Sequence, residues 1–265
     1  PLKVVPQTDV TERDIQVYNE AMKDIAGYSK RLQRRMREAL RDLKDGDIAH
    51  HKVSGNRFEA RAAYRADEKY FANKKQPQDL PDMAIAVLGD HSGSMSGSRI
   101  GAVMKAAMLI YDFATNLDIP VCVSGHSTYG ASVNFYTYTD FRQVRPSEKY
   151  RLAKMEAGGA NRDGMAIQIA GNLLAKRPED VKLLFIISDG RPNHAGYGGE
   201  EAAKDIQSIV RKLRKQGVEV IAAAIGDDKA RIKEIYGEGS YLEIDDLAKL
   251  PTSLVRIVRK KILPN

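Results

Sequence analysis

Three side chains with oxygen donors alternate along one short loop of the chain: Asp90, Ser92 and Ser94. This loop, residues 89–97, follows the apolar run 84–88 and is called the serine loop below. Alternation points the three side chains the same way, and the glycines between them let the backbone bend tightly. Carboxylate and hydroxyl oxygens suit Mg²⁺, which takes six oxygen ligands and keeps some of its waters. The loop therefore predicts a site for Mg²⁺, or for Mn²⁺ or another divalent cation.

Two further loops carry polar side chains that the same cation could use. Asp189 directly follows the Ser188 that ends an apolar run. The third loop, residues 158–164, presents Asn161 and Asp163 before a predicted helix. Ligands of open α/β sheets bind beyond the carboxyl ends of the strands, so these loops reach the serine loop if their strands are neighbours. The predicted metal-ligating residues are Asp90, Ser92, Ser94, Asp163 and Asp189.

A simpler interpretation exists for each part of this set. Asp90 and Ser92 could cap the free N–H groups at the start of the following helix. Asp189 could be an ordinary turn residue before Gly190. The two loops together favour the metal site, because the serine loop after one strand occurs together with an aspartate at the end of another strand far along the chain.

Apolar, strand-like runs alternate with amphipathic helical stretches from residue 83 onward. This alternation predicts an α/β fold with a doubly wound, mostly parallel sheet. The run 133–138 follows its neighbour after a turn too short for a helix, so it should be antiparallel and lie at the edge. The predicted strands are 84–88, 121–124, 133–138, 183–187 and 218–224, and the predicted helices are 100–115, 148–155, 165–175, 200–216, 229–235 and 245–262.

A long helix is predicted before this region. Thr11 and Asp14 have the spacing of a capping box, and apolar residues then recur at helical spacing as far as Leu43. The composition of residues 73–81 is typical of a linker. We therefore divide the chain into an N-terminal helical extension with a linker, residues 1–80, and a main domain, residues 81–265.

The Asp90-x-Ser92-x-Ser94 spacing, the third loop and the strand-end Asp189 resemble the metal-ion-dependent adhesion site of von Willebrand A domains. The resemblance covers about residues 83–262, and its closing part is similar to CobT-type cobaltochelatase subunits and NorD-type proteins. It implies that two serines and a threonine coordinate the cation, that aspartates often act through water, and that a partner's acidic residue completes the shell.

The third loop departs from that family pattern. Arg162 stands near the place of the usual threonine, and an arginine has only hydrogen-bond donors, so it cannot bind a cation. Asp163 or, as the second choice, Asn161 must then substitute for the threonine.

The resemblance also implies a binding subunit that works with an AAA+ ATPase, either a chelatase ATPase subunit or a MoxR-type protein. In a cobalt or magnesium chelatase it would help to deliver the metal into a tetrapyrrole, and we expect no catalytic activity from the chain alone. The alternative is a hydrolase or phosphatase that uses the same cation as a Lewis acid. That function needs a general base, and His91, the only histidine of the predicted metal loops, is expected to face solvent.

The net charge of the chain and the absence of several known enzyme motifs from its sequence reduce the number of functions to consider. The 265-residue chain has a net charge of +7, with basic clusters at 30–37 and 256–261. These clusters lack interleaved aromatic residues, which favours solvated helix faces, then an acidic protein partner, over nucleic-acid binding. The sequence contains no P-loop, dinucleotide fingerprint, nucleophile elbow or His-Glu-x-x-His pair.

Cysteine usage and the N-terminal sequence bear on location. The one cysteine, Cys122, lies in an apolar run and is predicted to be buried and inert. A single cysteine fits a reducing, cytoplasmic compartment. We expect no signal peptide and no membrane span. Because the chain begins with Pro1 rather than methionine, we expect a processed form or a fragment.

Overall fold

Strands and helices are assigned in the parts of the chain that the computed structural model describes: residues 1–44, 48–54, 57–64, 67, 69–74, 82–142, 145–190, 193–194, 197–225, 229–243 and 247–262. The strands are β1 (Leu2–Pro6), β2 (Ile48–Lys52), β3 (Arg57–Phe58), β4 (Phe71–Lys74), β5 (Met83–Asp90), β6 (Val121–Tyr129), β7 (Ser132–Thr139), β8 (Val181–Ser188), β9 (Asn193–His194), β10 (Tyr197–Gly198), β11 (Val218–Ala224) and β12 (Tyr241–Glu243). The α-helices are α1 (Glu12–Lys44), α2 (Ser98–Thr115), α3 (Asp163–Ala175), α4 (Gly199–Lys215), α5 (Lys229–Tyr236) and α6 (Leu250–Ile262). Short 3-10 helices cover Ala60–Ala62, Gly93–Met95, Pro146–Lys154 and Glu238–Ser240.

Seven strands form one mixed sheet in the order β1-β7-β6-β5-β8-β11-β12. The five neighbouring strands β6, β5, β8, β11 and β12 are parallel to one another. In contrast, β7 pairs antiparallel with β6. The expected doubly wound, mostly parallel α/β fold is therefore confirmed. Two smaller sheets, β2-β4-β3 and β9-β10, accompany it.

The central strand β5 is buried along its whole length. Its successive side chains point to opposite faces of the sheet. Ile85 and Val87 pack in a core with α1, α2 and α6. Ala84, Ala86 and Leu88 pack in a second core with α3 and α4. A strand covered on both faces is a continuous apolar run in sequence, which is why this strand was predictable.

The antiparallel strand does not lie at the edge of the sheet, where residues 133–138 were expected. The strand β1 lies outside it and runs parallel to β7, with Val4 opposite Phe135. The side chains of Leu2 and Val4 are about half exposed, 45% and 54%. Main-chain hydrogen bonds, rather than a buried apolar face, therefore hold β1, and its sequence carries no strand-like alternation to reveal it.

The long helix α1 is confirmed, and its apolar face is part of the main core. The capping box forms, since Thr11 N donates to Asp14 Oδ2 at 2.8 Å and Asp14 N donates to Thr11 Oγ1 at 3.3 Å. Ile25 and Leu32 are fully buried against α2 and α6. The end of the predicted stripe near Leu43 and most of the predicted linker lie outside the described side chains. The division of the chain at residue 80 stays a prediction.

The other predicted strands and helices form, with differences only at their ends, whereas the edge strand β12 was not predicted. The stretch 148–155 forms the 3-10 helix Pro146–Lys154, and α6 begins at Leu250 rather than near residue 245. Cys122 is buried as predicted, and burial raises the pKa of its thiol. None of the described helices is both long and apolar enough to cross a membrane.

Candidate metal centre

Asp90 of the serine loop is the last residue of β5. The backbone N–H of Ser92 donates to Asp90 Oδ1 at 2.8 Å, and the 3-10 turn Gly93–Met95 follows. In this arrangement Ser92 Oγ lies 3.1 Å from Ser94 Oγ. Asp90 and Ser92 are buried, whereas Ser94 is exposed. The hydroxyl pair therefore lies between a buried carboxylate and the solvent.

The second carboxylate oxygen of Asp90 connects two other loops to the serine loop. Asp90 Oδ2 accepts a hydrogen bond from Asn161 Nδ2 at 2.7 Å and another from Ser188 Oγ at 3.1 Å. Ser188 ends β8, which is the parallel neighbour of β5. The two strands that the metal site requires to be neighbours are therefore adjacent in the sheet.

Backbone hydrogen bonds hold the third loop against the serine loop. Gly93 N donates to Gly159 O at 2.8 Å, and Ala160 exchanges two hydrogen bonds with Thr128 of β6. Gly159 has a φ of 76°, and a Cβ there would lie 2.6 Å from Thr128 O, so glycine is required. Asn161 is buried, and its Oδ1 has no hydrogen-bond partner among the described residues.

Asp163, the first residue of α3, lies beside a histidine that the sequence did not single out. His126 Nε2 is 3.3 Å from Asp163 Oδ1, and both side chains are buried. His126 also stands opposite Asp90 in the pairing of β6 with β5. Burial lowers the pKa of His126, but the contact with Asp163 and the charges of Asp163 and Asp90 outweigh it, so the pKa lies above its ordinary value.

Asp189 reaches the serine loop through an arginine. Asp189 follows β8 directly and is buried. Arg99 Nη1 lies 3.6 Å from Asp189 Oδ2 and also donates to Ser94 O at 3.1 Å. Asp189 is thus joined to the serine loop by Arg99, and its role as a metal ligand stays a prediction.

Three carboxylates lie at this edge of the sheet. Asp90, Asp163 and Asp189 are all buried; His126 contacts Asp163, and Arg99 contacts Asp189. Burial raises the pKa of Asp90 to about 6; the charge of Asp163 acts in the same direction, and that of His126 opposes it. A bound cation would stabilise this cluster of carboxylates.

His91 is buried, in contrast to the expectation that it faces solvent. Its ring stacks on that of Tyr136 with centroids 5.6 Å apart, and its Nδ1 is 3.4 Å from the Tyr138 hydroxyl. A Cβ on Gly125 of the adjacent strand would collide with the ring, so that glycine provides the space. Burial and the charge of His126 lower the pKa of His91 to about 3, so His91 is a neutral packing residue.

The donors at this edge are of the kind that a hard cation prefers. No group of three histidine, cysteine, aspartate or glutamate side chains able to hold a metal occurs in the described part of the chain. The candidate set here is of another type, because serine hydroxyls and an amide oxygen accompany the carboxylates. The buried Asn161 Oδ1, which lacks a hydrogen-bond partner among the described residues, is an available oxygen beside Asp90. These oxygens fit Mg²⁺.

The family model for the von Willebrand factor type A domain matches residues 84–254. The chain belongs to this family. The chain is 30% identical over 234 residues to protein NorD of Brucella suis biovar 1, and this alignment covers 84% of this chain and 36% of NorD. The chain is also 24% identical over 277 residues to the uncharacterized protein YojO of Bacillus subtilis, covering 98% of this chain and 42% of YojO. It thus spans less than half the length of these relatives.

Two solved structures illustrate the shared fold of the von Willebrand factor type A domain. The PilB minor pilin from Streptococcus sanguinis aligns with a TM-score of 0.55 and 15% identity, over 74% of this chain and 66% of the pilin. The von Willebrand factor domain of the type V pili tip protein Mfa5 from Porphyromonas gingivalis aligns with a TM-score of 0.53 and 9% identity, over 70% of this chain and 97% of that domain. At these identities the likeness shows the fold alone.

The predicted ligands of this von Willebrand factor type A domain lie along one edge of its sheet. Asp90 and the two serines form a connected cluster, Asp189 reaches it through Arg99, and Asp163 contacts His126. Which of them ligate a cation stays a prediction. Sequence reasoning did not single out Ser188, although the strand-end rule that selected Asp189 applies to it. It also missed His126, which lies beyond the predicted end of its strand.

Proposed function

We propose that this domain holds a divalent cation, Mg²⁺, at the serine loop and uses it to bind an acidic residue of a protein partner. The observation that carries the proposal is the pair of serine hydroxyls, 3.1 Å apart, between a buried carboxylate and the solvent. Neighbouring ligands in a Mg²⁺ octahedron lie about 2.9 Å apart, since each oxygen is about 2.0–2.1 Å from the ion. The two hydroxyls have nearly this spacing.

The proposed ligands are Ser92 and Ser94, with Asp90 and Asp189 directly or through water. For the third loop, the geometry favours Asn161 over Asp163. Asn161 contacts Asp90, and its Oδ1 is buried without a hydrogen-bond partner among the described residues. Asp163 instead contacts His126, and we propose that its carboxylate acts on the cation through water or through its charge.

The surroundings of the serine loop support a protein partner. Ser94 is exposed, and two large side chains next to the third loop, Tyr129 and Met165, are 52% and 39% exposed. The ring of Tyr129 packs over Gly158 and Gly159. Exposed tyrosine and methionine are enriched at protein interfaces. A bound cation would add a positive charge among them that attracts a carboxylate.

We propose an AAA+ ATPase of the MoxR or chelatase type as the partner, in the cytoplasm. Support comes from the resemblance to NorD-type and CobT-type proteins and from the 30% identity with NorD of Brucella suis biovar 1. A cobalt or magnesium chelatase-like complex is the narrower form of this proposal. The single buried cysteine is in keeping with a reducing compartment.

The alternative, a metal-dependent hydrolase or phosphatase, has less support. It needs a general base that a substrate can reach. His91, within the serine loop, and His126, opposite Asp90 on β6, are 1% and 0% exposed. A binding function requires no such base.

Calorimetric titration of Mg²⁺ and Mn²⁺ into protein stripped with EDTA tests the cation site. We expect one saturable site in the wild type and binding at least about tenfold weaker in Ser94→Ala. Ser96→Ala is the matched control, because Ser96 is exposed in the same loop and lies outside the proposed ligands. No saturable binding by the wild type, or an equal loss in Ser96→Ala, would contradict the proposal.

Co-purification with a MoxR-type ATPase tests the partner. Tagged protein should retain the ATPase in Mg²⁺ and release it in EDTA, and Ser94→Ala should release it in both. Retention that survives EDTA and the Ser94→Ala change would show that the contact does not use the cation.

A further inference from the structure

Helix α6 carries three exposed cations, Arg256, Arg259 and Lys260, and is bordered by a cavity on each side. One cavity, of about 420 Å³, lies between α5, the 3-10 turn Glu238–Ser240, β12 and α6. The other, of about 430 Å³, lies between α1 and α6. Arg256 lines both cavities, so the two form one surface across the helix, which we call the α6 cleft.

The lining of the first cavity is basic. Lys233, Arg256 and Lys260 contribute cations, and none of its lining residues is acidic. Lys233 Nζ lies 5.3 Å from the centroid of the Tyr241 ring, which fixes that cation at the cavity wall. Arg256 and Lys260 are one helical turn apart on α6 and so point to the same side.

The second cavity adds cations and one acid. Arg35, Arg256 and Arg259 line it together with Glu38. Arg35 donates a hydrogen bond to Thr252 Oγ1 and so ties α1 to α6. The lining of the two cavities therefore contains five cationic side chains and one carboxylate.

Two of these cations have no acidic partner in the described part of the chain. Neither Arg256 nor Lys260 makes an ion pair with any residue that the structure describes. Such a concentration of one sign of charge attracts a ligand of the opposite sign. The cleft therefore fits an anionic ligand.

Apolar side chains at the base of each cavity indicate which kind of anionic ligand. Ile257 and Tyr241 line the first cavity, and Ala39 and Val255 line the second. A nucleic-acid backbone has no use for apolar surfaces of this kind, and Lys233 Nζ already lies over the Tyr241 ring, which leaves that face unavailable for a stacked base. A polypeptide with acidic and aliphatic side chains can use both the cations and the apolar surfaces.

We propose that the α6 cleft binds an acidic segment of a partner protein, in which carboxylates alternate with aliphatic side chains. The segment crosses α6, with Arg256 at the centre of the contact. This site uses none of the residues proposed for the cation and does not depend on it.

Fluorescence anisotropy of a labelled peptide tests the proposal. The probe is a twelve-residue repeat of Glu-Glu-Leu, with a Lys-Lys-Leu repeat, an all-glutamate peptide and a twelve-nucleotide oligothymidylate as comparisons. We expect the Glu-Glu-Leu peptide to bind the wild type more tightly than the three comparisons, in EDTA as well as in Mg²⁺. Arg256→Glu should weaken its binding by about tenfold or more, because attraction becomes repulsion.

Arg211→Glu is the matched control, because Arg211 is exposed on α4, in the opposite helix layer. It should change the affinity by less than about twofold, since it removes only long-range attraction that salt screens. Circular dichroism checks that both variants are folded, and Lys260→Glu provides a second variant in the cleft. Equal losses in Arg256→Glu and Arg211→Glu, no detectable peptide binding, or tighter binding of the oligothymidylate would each overturn the proposal.

Discussion

Asn161 is the residue whose proposed role differs most from the sequence prediction. Its Nδ2 contacts Asp90 at 2.7 Å, and its Oδ1 has no hydrogen-bond partner among the described residues. We expect Asn161→Ala to weaken Mg²⁺ binding by about 10–100-fold, because it removes both a support of Asp90 and an available oxygen. Calorimetric titration measures the effect.

Two other variants test whether the loss of Mg²⁺ binding is specific to the Asn161 side chain. Asn161→Thr, which places in the third loop the hydroxyl donor that the family usually has there, should keep most of the affinity. Arg162→Ala should have little effect, because the Arg162 side chain lies over the Tyr197 ring, 5.5 Å from its centroid. If Arg162→Ala weakened Mg²⁺ binding as strongly as Asn161→Ala, a direct role for Asn161 would be excluded.

The carboxylate of Asp90 makes stability depend on pH. Burial raises its pKa from 3.8 to about 6. At a pH between these two values, the folded protein therefore holds a proton that the unfolded chain has lost. Stability of the metal-free protein should therefore fall as the pH rises through this window. Asp90→Asn removes the ionisable group and should flatten the fall.

Thermal unfolding of metal-free protein between pH 4 and 7 measures this effect. We expect Asp90→Asn to melt several degrees above the wild type at pH 7, since about 1 kcal/mol corresponds to roughly 2–4 °C in a protein of this size. Added Mg²⁺ should raise the melting temperature of the wild type only. A lower melting temperature for metal-free Asp90→Asn at pH 7 would show that the charged carboxylate is not destabilising.

At the scale of elements, α1 should contribute to the stability of the main core. Ile25 is fully buried in the core that also contains α2 and α6. Ile25→Ala should cost about 2–5 kcal/mol, the usual range for such a cavity. Glu20→Ala, on the exposed side of α1, should change stability by less than about 0.5 kcal/mol.

Urea unfolding followed by circular dichroism distinguishes two organisations of the chain. If α1 belongs to the main cooperative unit, Ile25→Ala shifts the midpoint of a single transition. A separate early transition for the variant would instead support an independent N-terminal extension, as the division at residue 80 predicts.

Long elements with buried apolar faces could be predicted from the sequence, whereas β1, which has no such face, could not. The strand β5 is covered on both faces, and the apolar side of α1 is buried, so both leave a clear pattern. The strand β1 keeps Leu2 and Val4 exposed and is held by its backbone. Its position outside β7 depends on pairing between residues more than a hundred positions apart, which local patterns do not record.

The same distinction applies to the candidate site. Asp90, Ser92, Ser94 and Asp189 were selected by their places at strand ends. The burial of His91 depends on space over Gly125, on another strand, and the contact between His126 and Asp163 joins β6 to α3. Such contacts between distant segments cannot be read from spacing along the chain.

At the scale of the whole molecule, the α6 cleft and the candidate metal centre involve different residues and different helices. The serine loop leads into α2, whereas the cleft lies around α6, and α1 packs against both helices. A partner that reaches both surfaces would gain avidity from two separate contacts. Its binding should then respond to both EDTA and salt, whereas the contact at the serine loop alone should respond mainly to EDTA.

The buried position of Cys122 has a practical consequence for following these contacts. The chain has no other cysteine, and burial that raises the pKa of this thiol suppresses the thiolate that reacts with maleimide dyes. A Ser96→Cys variant would therefore take up a fluorophore at one place, at an exposed position of the serine loop. Its emission would report directly when a partner covers the rim of the proposed cation site.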